Sequence, residues 1–180
     1  MTFVYQKSGL ALALAISFLF AACASDATPP DCAKFGEAVQ LINPNLLSRV
    51  TVEDFQANNR TFKLGMIRSE DFPAQGKCDL YGITTVGAEY THHQIAGDMT
   101  FSFFNNQLKQ VLFYPKNLSD STALLAALCE KEQTCLLTES EFMRKGTQIR
   151  KGMTTDKRFY IVWEDFCLME QMNAWLAKCN

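Results

Sequence analysis

The chain has few of the marks that identify a reaction or a nucleic-acid partner. It contains only two histidines, and they are neighbours, His92 and His93. It has no G-x-S-x-G, no phosphate loop, no dinucleotide fingerprint and no H-E-x-x-H. Basic residues never run beyond pairs such as Arg144-Lys145 and Lys157-Arg158, and the formal net charge is −2. Nucleic acid is therefore excluded as an expected partner. No C-x₂-C pair occurs, which argues against a zinc site. Adjacent histidines on a strand also point to opposite faces, so His92 and His93 are not expected to share a ligand. The spacing Cys129-x₅-Cys135 is not that of a redox-active C-x-x-C pair. No low-complexity run and no Gly/Ser linker divides the body. Neither a cofactor nor a metal is expected.

What the chain does have begins at its first residues. Lys7 is the only charge before Leu10 to Ala22, an apolar and small-residue stretch interrupted in polarity only by Ser17. This is the pattern of a secretory leader, too short to span a bilayer stably. Two exits from it compete. Ala22-Cys23-Ala24 satisfies the small-x-small rule and would release a soluble periplasmic or secreted protein. Phe20-Ala21-Ala22-Cys23 resembles the bacterial lipobox, in which cleavage precedes a cysteine that is then acylated. The second exit is preferred, with residues 1–22 as signal peptide, Cys23 as lipid anchor and residues 23–30 as a polar tether ending in Pro29-Pro30. At about 0.8 kcal/mol per buried CH₂, several acyl chains on one cysteine hold a protein at a membrane without a spanning helix. Residues 31–180 are long enough for one domain with its own core.

Six cysteines follow the anchor: Cys32, Cys78, Cys129, Cys135, Cys167 and Cys179. In an exported chain they are disulfide candidates. A continuous C-terminal helix separates Cys167 from Cys179 by about 18 Å of rise, which excludes that pair. If Cys32 pairs with Cys78, a local Cys129–Cys135 bridge strands the other two. The expectation is then a pair of long-range ties, either 129–167 with 135–179 or 129–179 with 135–167.

The body reads as alternating helices and hairpins. Asp31 caps a helix through about Ile42, which stops at Asn43-Pro44. A short helix starts at Thr51, Ser69 to Phe72 forms a helical turn, and Cys78 to Val86 has strand composition with a bulge at Gly82. Asp98 to Tyr114 is a hairpin around Asn105-Asn106, with Met99, Phe101 and Phe103 on one face. A two-residue turn sets that face opposite Leu108, Gln110 and Leu112. A three-residue turn sets it opposite Val111 and Phe113, and is preferred because it removes Gln110 from the core face. Glu89 to Ile95 pairs alongside. Helices follow over Thr122 to Glu132 and from Thr138, the latter beginning with Glu139 and Glu141. A second hairpin joins Thr147–Lys151 to Lys157–Trp163. The last helix carries Phe166, Met169, Met172, Trp175 and Leu176 as an apolar stripe, with Glu164 and Asp165 at its start. The fold class is α+β, an antiparallel sheet from two hairpins with helices packed on one face. Gly65-Met66 with Phe72 and Gly152-Met153 with Phe159 share an offset, the trace expected of a degenerate two-unit repeat.

Phe62 to Met66, the acidic Ser69-Glu70-Asp71 turn and the aromatic hairpin Phe101 to Val111 resemble the small outer-membrane lipoproteins of the SmpA type. They are similar also to the β-lactamase-inhibitor-like fold that those proteins share. The resemblance covers about residues 62–114. It implies a helix starting at Gly65-Met66 and a non-catalytic periplasmic module that binds other proteins.

The function expected from these readings is that of a non-enzymatic cell-envelope lipoprotein. It faces the periplasm, is held to the membrane through Cys23, and binds an envelope protein partner or supports one structurally. The alternative is a periplasmic or secreted inhibitor or immunity-type protein that blocks a hydrolase. An enzyme using His92 or His93 as base ranks last.

Overall fold

The structure, a computed structural model, describes residues 31–32, 37–43, 45–58, 63–72 and 81–177. The leader, Cys23 and the tether lie outside these residues, as do Cys78 and Cys179. The described elements are α1 (Val52–Asn58), β1 (Lys63–Phe72), β2 (Tyr81–His92), β3 (Ile95–Phe104), β4 (Gln107–Pro115), α2 (Asp120–Glu132), β5 (Glu141–Arg144), β6 (Thr147–Met153), β7 (Phe159–Asp165) and α3 (Phe166–Ala177). All seven strands join one antiparallel sheet in the order β1-β2-β3-β4-β7-β6-β5. The fold is therefore α+β, with a sheet wider than two hairpins. Two meanders meet at β4 and β7, where Val111 faces Trp163 and Phe113 faces Ile161.

Three of the hairpin turns share one local cause. His93-Gln94, Asn105-Asn106 and Lys145-Gly146 each have positive φ at both central residues. That is the two-residue turn whose twist matches the strands it joins. The β3–β4 turn thus has two residues and not the preferred three. A register shift follows at once, because Ser102 faces Gln110 while Phe103 faces Leu108, which leaves Lys109 as the extra residue of a bulge. Beyond the bulge Phe101 faces Val111 and Met99 faces Phe113. The aromatic face consequently meets Leu108, Val111 and Phe113, all fully buried. Gly97 belongs to the same packing, since a Cβ there would lie 2.4 Å from the Phe113 ring.

The core fills the side of the sheet that carries Met99, Phe101 and Phe103. Phe55 of α1 lies over them, with ring centroids 4.4 Å from Phe101 and 5.6 Å from Phe103. Leu124 and Leu128 of α2 are buried in the same cluster, together with Leu41, Ile42 and Leu46. Leu41 and Ile42 come from a segment read as helical in sequence, and Leu46 follows its expected end. Residues 37–42 are instead non-helical, and Gln40 bridges Leu47. Backbone bonds from Leu41 to Leu46 and from Ser48 to Val39 close a tight loop, and Leu46 N donates to the Asn43 carbonyl within it. Residues 69–72 are strand, as part of β1, and Gly65-Met66 lies inside β1 and starts no helix. The irregularity in the β1–β2 pairing falls between Leu64 and Ile67, away from Gly82. Glu141 opens strand β5, where a helix was expected. Gly152-Met153 ends β6, so the two Gly-Met pairs occupy non-equivalent places.

The helices do not share one face. Phe104, next to Phe103, projects from the opposite side by strand alternation. It meets Trp175 of α3 edge-on at 5.8 Å. Lys109, which contacts Met169 of α3, and Glu164 are buried there too. Asp165 starts α3 through its Oδ1, which accepts from Leu168 N at 2.9 Å. Its Oδ2 accepts from Ser48 Oγ at 2.7 Å and Arg49 Nε at 2.8 Å. The buried Asp165 thereby locks the 39–49 segment to the β7–α3 junction.

Candidate functional site

Four of the six candidate cysteines are described, and their pairing differs from the expected one. Cys32 bonds to Cys167, with Cα atoms 5.2 Å apart. Cys129 bonds to Cys135. Two premises of the sequence argument fail. Cys32 pairs with Cys167 at the start of α3, so the local bridge does not strand Cys167. The local bridge itself forms because Gln133, at φ 56°, turns the chain back at the end of α2.

That turn also builds the chemically distinctive place in the molecule. Glu132 is the last residue of α2, inside the ring closed by Cys129 and Cys135. Opposite it stand His92, the last residue of β2, and His93, the first residue of the following turn. Strand alternation predicts that adjacent imidazoles diverge. It does not govern here, because His93 has left the strand and adopts φ 48°. Both rings then lie on one side, with centroids 4.2 Å apart. His93 Nε2 lies 2.7 Å from Glu132 Oε1 in a hydrogen bond. His92 Nε2 lies 3.0 Å from the same oxygen, off the line of a hydrogen bond, and is buried without a hydrogen-bond partner. The His92 ring is fixed by an edge-on contact with Trp163 at 5.6 Å and lies 6.0 Å from Phe113.

Arg144 of β5 supports the carboxylate from behind. Its Nη1 donates to the Glu132 backbone carbonyl at 3.1 Å, and its Nη2 lies 3.9 Å from Oε2. Burial pushes the Glu132 carboxyl up. The close contacts and charge of His92 and His93 together outweigh that effect and hold it below its ordinary range. The cluster lines an open cleft of about 540 Å³ that also takes in Gln40, Tyr90, Lys131 and Gln133.

The other paired acids have structural roles. Asp165 caps α3, Glu164 pairs with Arg150 at 2.6 Å, and Glu141 accepts from Gln148 at 3.1 Å. Reading the sequence singled out both histidines but missed Glu132 and Arg144. Each lies far along the chain from His92, and no local spacing reports the contact. No family model, no curated protein and no solved structure matches this chain. The site is therefore interpreted from its chemistry alone.

Proposed function

We propose that this protein is an exported, membrane-tethered accessory of the bacterial cell envelope that binds another protein and catalyses no reaction. The observation that carries the reading is the oxidised state of the described cysteines. Two bridges are formed and none of these sulfurs is free. Disulfides of this kind belong to oxidising compartments, which agrees with a leader that ends at Ala22-Cys23. Among the described residues no helix is long and apolar enough to cross a membrane, and acyl chains on Cys23 supply the attachment in this reading.

For partner binding, β1 is the feature that supports the reading. It is a ten-residue edge strand, and its described side chains are exposed. An edge of this length accepts an extended segment by strand addition. Arg68 and Glu70 on it blunt indiscriminate pairing. The partner is accordingly an envelope protein that presents an extended strand.

The test is expression of the full chain in a bacterial host with a clickable palmitate analogue. Label on the wild type, lost in Cys23→Ser together with membrane retention, is the expected result. Crosslinking from a photoreactive residue at Ile67 is expected to trap one envelope protein. An uncleaved cytosolic chain with all its thiols titratable would overturn the proposal.

A further inference from the structure

The geometry points to a metal site: His92, His93 and Glu132 form a three-ligand centre for a divalent transition ion, with zinc the best match. The inference does not depend on membrane attachment, and it goes beyond the binding role proposed above. Three observations carry it. The first is distance. One ligand atom from each of His92, His93 and Glu132, a ring nitrogen or a carboxylate oxygen, lies within 4.8 Å of the other two. The contacts to Oε1 are 3.0 and 2.7 Å. Ligands bound at about 2.0–2.2 Å to one tetrahedral zinc stand about 3.4 Å apart. The carboxylate contacts therefore need to open by only about 0.4 and 0.7 Å.

The second is the buried His92 Nε2. It faces Glu132 across the cluster and has no hydrogen-bond partner. A buried ring nitrogen without a hydrogen bond is costly, and in the tautomer that leaves this nitrogen unprotonated an electrophile between the two imidazoles and the carboxylate satisfies it. The third is the sign of the local field. Glu132 closes a 13-residue helix, whose C-terminal carbonyls carry partial negative charge. The carboxylate and the helix end together favour a cation. Lys131 and Arg144 oppose this from the rim, but Arg144 is already engaged with the Glu132 carbonyl and Oε2. It steadies the carboxylate as outer partners of metal ligands do.

The donor set selects the ion. Two imidazoles and one carboxylate match zinc and are poor for magnesium or calcium, which take oxygen ligands. Three protein ligands leave the fourth position open to the cleft. Water or an anionic oxygen donor fills it, and Lys131 and Arg144 at the rim favour the anion.

The experiment is calorimetric titration of the oxidised, purified protein with zinc chloride, followed by cobalt(II) titration read by visible absorption. Thiol assay before titration confirms that no free sulfur competes. The expected result is one ion per chain, a raised melting temperature and the intense visible bands of four-coordinate cobalt. His93→Gln and Glu132→Gln, both at partly exposed positions, are expected to weaken binding by more than roughly a hundredfold, beyond the range for disturbing outer contacts. Circular dichroism verifies that each variant folds. His92→Ala is expected to behave alike where it folds, and the other two variants decide the matter where it does not. Equal zinc affinity in wild type, His93→Gln and Glu132→Gln would overturn the proposal, as would octahedral-type cobalt bands. Absence of binding at millimolar zinc would do the same, leaving the cluster as a hydrogen-bonded strut.

Discussion

Replacing Cys32 and Cys167 together by alanine removes a bridge that spans 135 positions of the chain. The bridge between Cys129 and Cys135 spans 6. If a crosslink acts mainly by restricting the unfolded chain, its contribution grows with the logarithm of the loop. The long bridge is then worth about 5 kcal/mol and the short one about 2 kcal/mol. With a urea dependence of about 2 kcal/mol per molar, the midpoint falls by roughly 2.5 M in the first double variant and roughly 1 M in the second. Intrinsic fluorescence reports the transition directly, since Trp163 is fully buried in the core and Trp175 packs against Phe104. The slopes must be compared as well as the midpoints, because an uncrosslinked unfolded chain exposes more surface and steepens the transition. Equal losses in the two variants, or a larger loss from the short bridge, would refute the loop-length reasoning. The stabilisation would then reside in the folded contacts around each sulfur pair.

Three further outcomes are expected. Asp165→Ala removes the buried carboxylate to which Ser48 and Arg49 donate, together with the cap of α3, so stability falls by about 3–4 kcal/mol in thermal unfolding; a loss below 1 kcal/mol would mean that the junction is not held by this carboxylate. Gly97→Val drives a side chain into the Phe113 ring and lowers stability by about 1–3 kcal/mol in the same thermal unfolding assay, and an unchanged melting temperature would contradict this packing. Lys109 is buried, which pushes its ammonium down in pKa, with Glu164 partly opposing the shift. Its folded value lies below its unfolded one, so between the two the unfolded chain binds more protons and stability rises with pH. Lys109→Met is thus expected to gain about 1 kcal/mol at neutral pH, and that advantage is expected to shrink on the alkaline side in parallel denaturation curves; an advantage that grows with pH would contradict the sign.

The legible parts of the fold are those in which one face is buried and the other wet. The β3–β4 hairpin, the β6–β7 hairpin and the helices α2 and α3 all announce themselves through periodic apolar residues. Strand β1 does not, because the side chains described along it are exposed and no alternation is imposed. Residues 37–42 carry enough helix-forming side chains to mislead, but Leu41 and Ile42 are drawn into the core as an irregular plug. The bulge at Lys109 reconciles the two hairpin registers that the sequence left open, and nothing local marks it. The candidate site was half visible. The histidine pair stands out by rarity, but its convergence depends on a left-handed turn at His93-Gln94, which contains neither glycine nor asparagine. Glu132 and Arg144 reach it only through the tertiary arrangement.

The Cys32–Cys167 bond joins the beginning of the described body to the helix that follows the interior strand β7. It is therefore a mechanical grip as well as a thermodynamic one. Tension applied to the N-terminus, whether by a lipid or by any other attachment, meets this covalent link before it can peel the 39–49 segment from the sheet. The load passes straight into the middle of the molecule, where β7 is flanked on both sides by paired strands. A body fastened in this way can be tugged from its leading end without unravelling from that end.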